Sequence, residues 1–371
     1  MDVSSDVIFL QSDVIFPTIS DTATPNTFTK LYRTTVNTIL VQQTKTKEDL
    51  AGINNPLCRS ILLLQPQPTG KVALLFHGFT AAPYQFGPIA QLLYQAGYSV
   101  MVPLMPGHGH SGEFSATNPT PLPTEAQPYK DFALEWFEQA QAVDSTAQIT
   151  LGGLSGGASL AGWLAIEKAS QCDRGILYAA YFGNSRFVLD LIINNSQSYR
   201  TWLSEPNPAY PGYNGFQTQA LKVFLTIGEE VLERSKNEPT PPMFILSTGC
   251  DIAVNNNDHQ EFFENIVENQ PLSWYYCFDR DLNIPHTMLL KAEGNQWENV
   301  LNIMTKAYLE SQITWAEVEE IAYQMTEGKT YPQVIEELEL ESKVSADLPA
   351  MITMVDKRTI VEARNPSRSM D

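Results

Sequence analysis

The chain has 371 residues, 43% of them hydrophobic, enough for a substantial core in one large α/β domain with insertions. Its formal charge of −19 excludes a nucleic-acid partner, which would need clustered Lys and Arg, and disfavours both an anionic membrane surface and anionic substrates. No apolar run approaches the roughly 18 residues of a spanning helix, so no integral membrane segment is expected. The opening MDVSSDVIFL has no basic n-region or long apolar core, so no secretory signal is expected either. The four cysteines, Cys58, Cys172, Cys250 and Cys277, form no CxxC and no zinc spacing with His. They read as reduced thiols, which suits a cytoplasmic location.

Residues 1–30 read as irregular. DVIF occurs twice, at Asp6–Phe9 and Asp13–Phe16, too short to be a repeat architecture. Regular structure is expected from about residue 57. Ser60–Gln65 and Lys71–His77 read as strands joined by a turn. Pro88–Gly97 reads as a helix ending at glycine, and Tyr98–Pro103 as a buried strand. Tyr129–Ala142 places Phe132, Trp136, Phe137 and Ala140 on one helical face. Ala147–Leu151 reads as a strand, Ala158–Ala169 as a helix and Gly175–Phe182 as a strand. After a long interval come strand Pro242–Thr248, helix Asn257–Val267, strand Leu272–Phe278 and helix Asn295–Glu310. Strands apolar on both faces, alternating with helices, indicate a mostly parallel central sheet covered on both sides.

Two segments break the alternation. Residues 183–241 carry Tyr199, Trp202, Tyr210, Tyr213, Phe216 and Phe224 but no strand at the expected place. An insertion of this length between core strands reads as a lid or cap. Residues 311–371 read as two short acidic helices, TWAEVEEIAYQM and YPQVIEELELE, and a partly disordered tail, RNPSRSMD. They form an acidic helical extension, either packed on the sheet or reaching to a partner. The expected organisation is therefore an N-terminal extension over 1–56, a catalytic domain over 57–310 and a C-terminal extension over 311–371.

The stretch ITLGGLSGGASLAG, residues 149–162, is too rich in glycine for an ordinary strand and helix. It has no lysine for a P-loop, and its glycines do not give GxGxxG. Gly153–Leu154–Ser155–Gly156–Gly157 does fit GxSxG, between a strand and a helix. That motif is a sharp turn that lifts a strained serine above the sheet. Ser159, one helical turn on, reads as a small packing residue.

A serine needs a base, and the base needs an orienting acid. In such a sheet the chain order is Ser, then Asp or Glu, then His. His77, His108 and His110 precede Ser155, which leaves His259 and His286. His259 reads as an exposed polar residue at a helix start. His286 lies in a loop after the last core strand, where ligands bind in open α/β sheets. For the acid, Asp251 lies three residues past a strand, whereas Asp258 reads as an N-terminal charge on the next helix. An oxyanion hole needs two backbone N–H donors: Gly156, after the nucleophile, and Phe79, in the HGFT loop after an early strand. Gly78 lets that loop turn its amides to the site, and His77 reads as a prop for the loop.

The succession HGFT, PGHGHSG, GLSGG, CDIAV and PHTM resembles the α/β-hydrolase superfamily, and within it the carboxylesterase and monoacylglycerol-lipase-like serine hydrolases, over residues 57–310. The resemblance implies the α/β-hydrolase fold with a lid or cap insertion. It implies attack by Ser155 on a small apolar ester, with His286 as base, Asp251 as its support, and Phe79 and Gly156 amides on the oxyanion. It implies no metal or organic cofactor. Gly156 departs from the larger residue common after the nucleophile, and is expected to leave its amide less constrained. Two other readings stay open: an acyltransferase using the same triad, and a non-catalytic binding protein on a hydrolase scaffold. A serine nucleophile excludes the dehalogenase and epoxide-hydrolase chemistry that aspartate would have suggested.

Overall fold

A computed structural model of the chain describes residues 25–183, 185, 199–202 and 211–364. The irregular reading of residues 1–24 with both DVIF copies, Tyr210, and the terminal NPSRSMD lie outside the described residues. Seven strands form the central sheet: β1 (Ile61–Leu63), β2 (Lys71–Phe76), β3 (Ser99–Val102), β4 (Gln148–Leu154), β5 (Cys172–Tyr178), β8 (Met243–Thr248) and β9 (Trp274–Phe278). Their spatial order is β1-β3-β2-β4-β5-β8-β9, with only β1 antiparallel. The two early strands joined by a turn are thus not a hydrogen-bonded pair, because β3 lies between them.

The central strands are buried on both faces, which is why they read as continuous apolar runs. On one face α2 (Gly87–Gln95) packs beside α7 (Glu298–Glu310). A row of α3 (Gln127–Val143), α4 (Gly156–Glu167), α5 (Thr218–Arg234) and α6 (Asn256–Val267) packs together as a second layer. The helix α4 is buried along almost its whole length, so its apolar residues fall on every side. Ser159 is fully buried there and donates to the Tyr181 carbonyl at 2.7 Å.

Three expectations are corrected. The first 56 residues are not irregular up to residue 30, nor is residue 57 the first regular structure: α1 (Pro25–Leu50) is a helix that packs against α3. Its abundant threonines lower helix propensity and hid it. The chain between β5 and β8 does contain strands, a two-stranded sheet of β6 (Tyr199–Thr201) and β7 (Gly215–Gln217), ahead of α5.

The third correction concerns the C-terminal extension, which among the described residues holds four helices rather than two. These are α8 (Trp315–Thr326), α9 (Tyr331–Glu337), α10 (Leu348–Met354) and α11 (Lys357–Arg364). They pack against α7 and the edge strand β9. Trp274 of β9 donates from its indole to the Ile313 carbonyl at 3.1 Å and packs on Trp315. Covering β9 in this way removes an exposed sheet edge. Arg174 ties the sheet to the end of α7, donating to the carbonyls of Tyr308 at 3.2 Å and Ser311 at 2.8 Å. A cation there meets the negative end of the helix dipole. Among the described residues, no helix is long and apolar enough to cross a membrane.

Candidate active site

Ser155 sits between β4 and α4 with φ 56° and ψ −121°, a left-handed backbone that non-glycine residues seldom adopt. The turn is held by Ser155 N–H donating to the Tyr178 carbonyl at 2.9 Å and by Tyr181 N–H donating to the Ser155 carbonyl at 3.2 Å. Such strain persists only where surrounding packing fixes it. A Cβ on Gly153 would lie 2.2 Å from the Gly157 carbonyl oxygen, and one on Gly157 would lie 2.2 Å from the Phe76 carbonyl oxygen. Backbone fills both positions, so only glycine lets strand and helix meet there.

The structure brings Ser155, His286 and Asp251 into one hydrogen-bonded line. The Ser155 hydroxyl is 2.8 Å from His286 Nε2, and His286 Nδ1 is 2.7 Å from Asp251 Oδ2. An ionised carboxylate only accepts, so Nδ1 carries the proton and Nε2 is left to accept from the serine. Asp251 Oδ1 accepts from the amides of Ala253 at 2.7 Å and Val254 at 3.3 Å, which fixes the carboxylate's orientation. Burial works to raise the Asp251 carboxyl, but the His286 charge and these hydrogen bonds outweigh it and hold it below its ordinary value. Burial works to lower the His286 imidazole, yet the Asp251 charge and hydrogen bond, with Glu293 adding to them, raise it above 6.5.

The HGFT loop is fixed amide by amide. Gly78 N–H donates to Gln85 Oε1 at 2.9 Å, and Thr80 N–H donates to His108 Nε2 at 3.2 Å. Between these two, the Phe79 amide has no hydrogen-bond partner among the described residues, and neither has the Gly156 amide at the first turn of α4. His77 is fully buried; its Nε2 accepts from Met105 N–H at 3.0 Å, so its protonated Nδ1 donates to the Gly78 carbonyl at 3.0 Å. Burial pushes His77 well below 6.5 and His108 down to about 4, so both stay neutral.

Described residues of the chain between β5 and β8 pack on this loop. Trp202 Nε1 donates to Thr80 Oγ1 at 2.9 Å, and Tyr213 N–H donates to the Thr80 carbonyl at 2.8 Å. The Phe79 ring lies 5.2 Å from Phe216 and 5.5 Å from Phe224 between centroids. Phe224 also occupies the space beside Gly156, where an added Cβ would be 2.8 Å from its ring. The glycine after the nucleophile is therefore a matter of packing. A cavity of about 320 Å³ adjoins the loop, lined in part by Ala81, His110, Phe114, Tyr199 and Tyr213.

Sequence reasoning misplaced His259 and missed two residues. His259 is fully buried, not an exposed helix start; it lies 2.6 Å from both Ser247 Oγ and the Ala180 carbonyl. Its spacing with Phe262, Phe263 and Ile266 puts it on the apolar face of α6, a signal present in the sequence. The missed pair is Gln85 and Glu293. Glu293 accepts from the Tyr84 hydroxyl at 2.6 Å and from the Gln85 amide at 3.3 Å, and Gln85 in turn holds Gly78. No sequence motif marks either. Burial raises the Glu293 carboxyl above its ordinary value, against the effect of these hydrogen bonds and of His286. Asp258 lies in the first turn of α6 and accepts from Asn255. All four cysteines are free, with Cys58 and Cys172 buried and Cys250 and Cys277 partly so. Among the described residues, no group of three or more His, Cys, Asp or Glu could hold a metal ion.

Comparison with solved structures finds the same fold in enzymes of distant sequence. A metagenome-derived lipolytic enzyme of the LipS and LipT pair superposes with a TM-score of 0.53 at 17% identity, covering 68% of this chain and 96% of its own. The monoacylglycerol lipase of Paleococcus ferrophilus superposes with a TM-score of 0.50 at 14% identity, covering 66% and 95%. No sequence among the curated proteins compared with the chain matches it. The alpha/beta hydrolase family model matches residues 73–262, more than half of the sequence, a span that runs from within β2 past β8 and includes the Ser155 turn. With the seven-stranded, mostly parallel sheet around that turn, the chain belongs to the alpha/beta hydrolase family.

Proposed function

We propose that the protein is a serine hydrolase that cleaves carboxylic esters through an acyl-enzyme on Ser155. The observation that carries this reading is the line from Ser155 Oγ through His286 to Asp251, with hydrogen bonds of 2.8 and 2.7 Å. His286 Nε2 takes the serine proton as Oγ attacks the ester carbonyl. The carbonyl oxygen, now an anion, receives the amides of Phe79 and Gly156. His286 returns its proton to the departing alkoxide. Water, deprotonated by the same nitrogen, then attacks the acyl-enzyme and regenerates Ser155. Asp251 keeps the imidazole in the required tautomer and stabilises its positive charge.

The flanking amides support the choice of Phe79 as donor: Gly78 and Thr80 are already engaged on either side of it. We read residues 183–241 as a cap over this site. Its aromatic residues Trp202, Phe216 and Phe224, packed around Phe79, favour an ester with an apolar part. The test is labelling with a fluorophosphonate probe, followed by a p-nitrophenyl ester series of rising chain length. The expected result is modification at Ser155 and hydrolysis that Ser155→Ala reduces by roughly 10⁴-fold or more. Folded protein that the probe does not label would overturn the proposal. Product analysis with added alcohol separates hydrolysis from acyl transfer.

A further inference from the structure

Arg200 of β6 stands directly opposite Phe216 of β7 in the antiparallel pair. Opposed residues project to the same face of such a sheet. Trp202 lies two residues on, its amide still bonded to the Asn214 carbonyl, and shares that face. The face is the inner one, since Phe216 and Trp202 both pack on Phe79 of the HGFT loop. Arg200 is only 8% exposed there. Its Nε and Nη2 are buried and have no hydrogen-bond partner among the described residues. These are the two adjacent nitrogens of one guanidinium edge, the edge that grips a carboxylate with two parallel hydrogen bonds.

A guanidinium cannot escape burial by losing its proton, and an isolated buried charge is costly. Yet in a chain with a formal charge of −19, no described carboxylate meets this one. We propose that Arg200 binds a carboxylate carried by the substrate, making the preferred ester one whose acyl part ends in a second acid group. This rests on the ester-hydrolase reading and narrows it. It runs against the sequence expectation that the acidic surface disfavours anions. The surface charge acts at long range and is screened by salt, whereas a desolvated guanidinium acts at contact.

The test has a binding arm and a catalytic arm. Glutarate is titrated into Ser155→Ala protein while thermal unfolding is followed, with Ser155→Ala/Arg200→Met as the comparison. The expected result is a rise in Tm with glutarate that the double variant loses. In the catalytic arm, the ratio of kcat/KM for p-nitrophenyl hydrogen glutarate to that for p-nitrophenyl butyrate falls by about 10- to 100-fold in Arg200→Met. Arg200→Lys keeps the charge without the fork, so the ratio falls by less; this variant also serves if Arg200→Met does not fold. No glutarate-dependent shift in Ser155→Ala overturns the proposal, as does a shift with inorganic phosphate alone. An unchanged ratio in both Arg200 variants overturns it too. Because the binding arm needs no turnover, failure of the ester reading and failure of the Arg200 assignment are told apart.

Discussion

Gly156→Ala tests how the nucleophile turn and the segment above it share space. The new Cβ would stand 2.8 Å from both Cγ and Cδ1 of Phe224 and 3.3 Å from its Cβ. Phe224 cannot simply swing away: it is fully buried, with its ring 4.7 Å from Tyr129 and 5.5 Å from Phe79. Overpacking of this kind costs about 1–3 kcal/mol. Alanine gains back about 0.4–1 kcal/mol through a less flexible unfolded chain. The net expectation is a loss of about 1–2 kcal/mol. Displacement of Phe224 reaches Phe79 and the Gly156 amide, so kcat/KM for a p-nitrophenyl ester should fall by about tenfold or more. Phe224→Leu relieves the clash, so the two substitutions together should cost about 1–2 kcal/mol less than the sum of each alone. Urea unfolding and ester kinetics on the four proteins measure both effects. A Gly156→Ala protein as stable as the parent, or a penalty undiminished in the Phe224→Leu background, would refute the reasoning.

The ester-hydrolase reading requires neutral His286, whose pKa lies above 6.5, so the acid limb of kcat/KM should fall above pH 6.5. Glu293→Gln removes one of the charges that raise His286 and should move that limb to lower pH in a pH–rate profile. Buried His108, lowered to about 4, acts on stability with the opposite sign. The unfolded chain takes up a proton below about 6.5 that the folded chain refuses, so stability falls between pH 6.5 and 4. His108 alone accounts for roughly 3 kcal/mol of that loss, which His108→Gln should reduce in denaturant titrations across this range. His286 partly offsets it, since its raised value adds stability below the unfolded pKa that is lost as pH rises through the folded one. Arg174→Met leaves the carbonyls of Tyr308 and Ser311 without their donors, and should lower unfolding free energy by about 2–4 kcal/mol.

The sheet was legible because parallel strands buried on both faces leave apolar runs at regular intervals, and β2, β4 and β8 fall within a residue or three of their expected bounds. The order Ser155, Asp251, His286 was legible because each follows a strand, and loops at strand ends converge. Illegible were contacts made between distant segments by residues of ordinary type. Gln85 carries no mark of its bond to Gly78, and Glu293 reaches Gln85 across 208 positions. Helix α1 was hidden for a different reason, threonine-rich composition overridden by packing on α3. His259 was legible and misread: its i+3, i+4 and i+7 partners are Phe262, Phe263 and Ile266.

The glycines of the Ser155 turn separate into two kinds once their surroundings are known. Gly153 and Gly157 each face backbone, the Gly157 and Phe76 carbonyls, at 2.2 Å from where a Cβ would stand. No substitution elsewhere moves those atoms without separating β4 from α4 or α4 from β2, so Gly153→Ala and Gly157→Ala should resist rescue. Gly156 faces a side chain, Phe224, and is free to change if Phe224 changes with it. The first pair belongs to the turn itself. The third belongs to the agreement between the turn and the segment linking β5 to β8, which also clamps Thr80 through Trp202 and Tyr213. That segment is therefore part of how the two unpaired amides are held, and a change in its aromatic residues should alter rate as well as substrate preference.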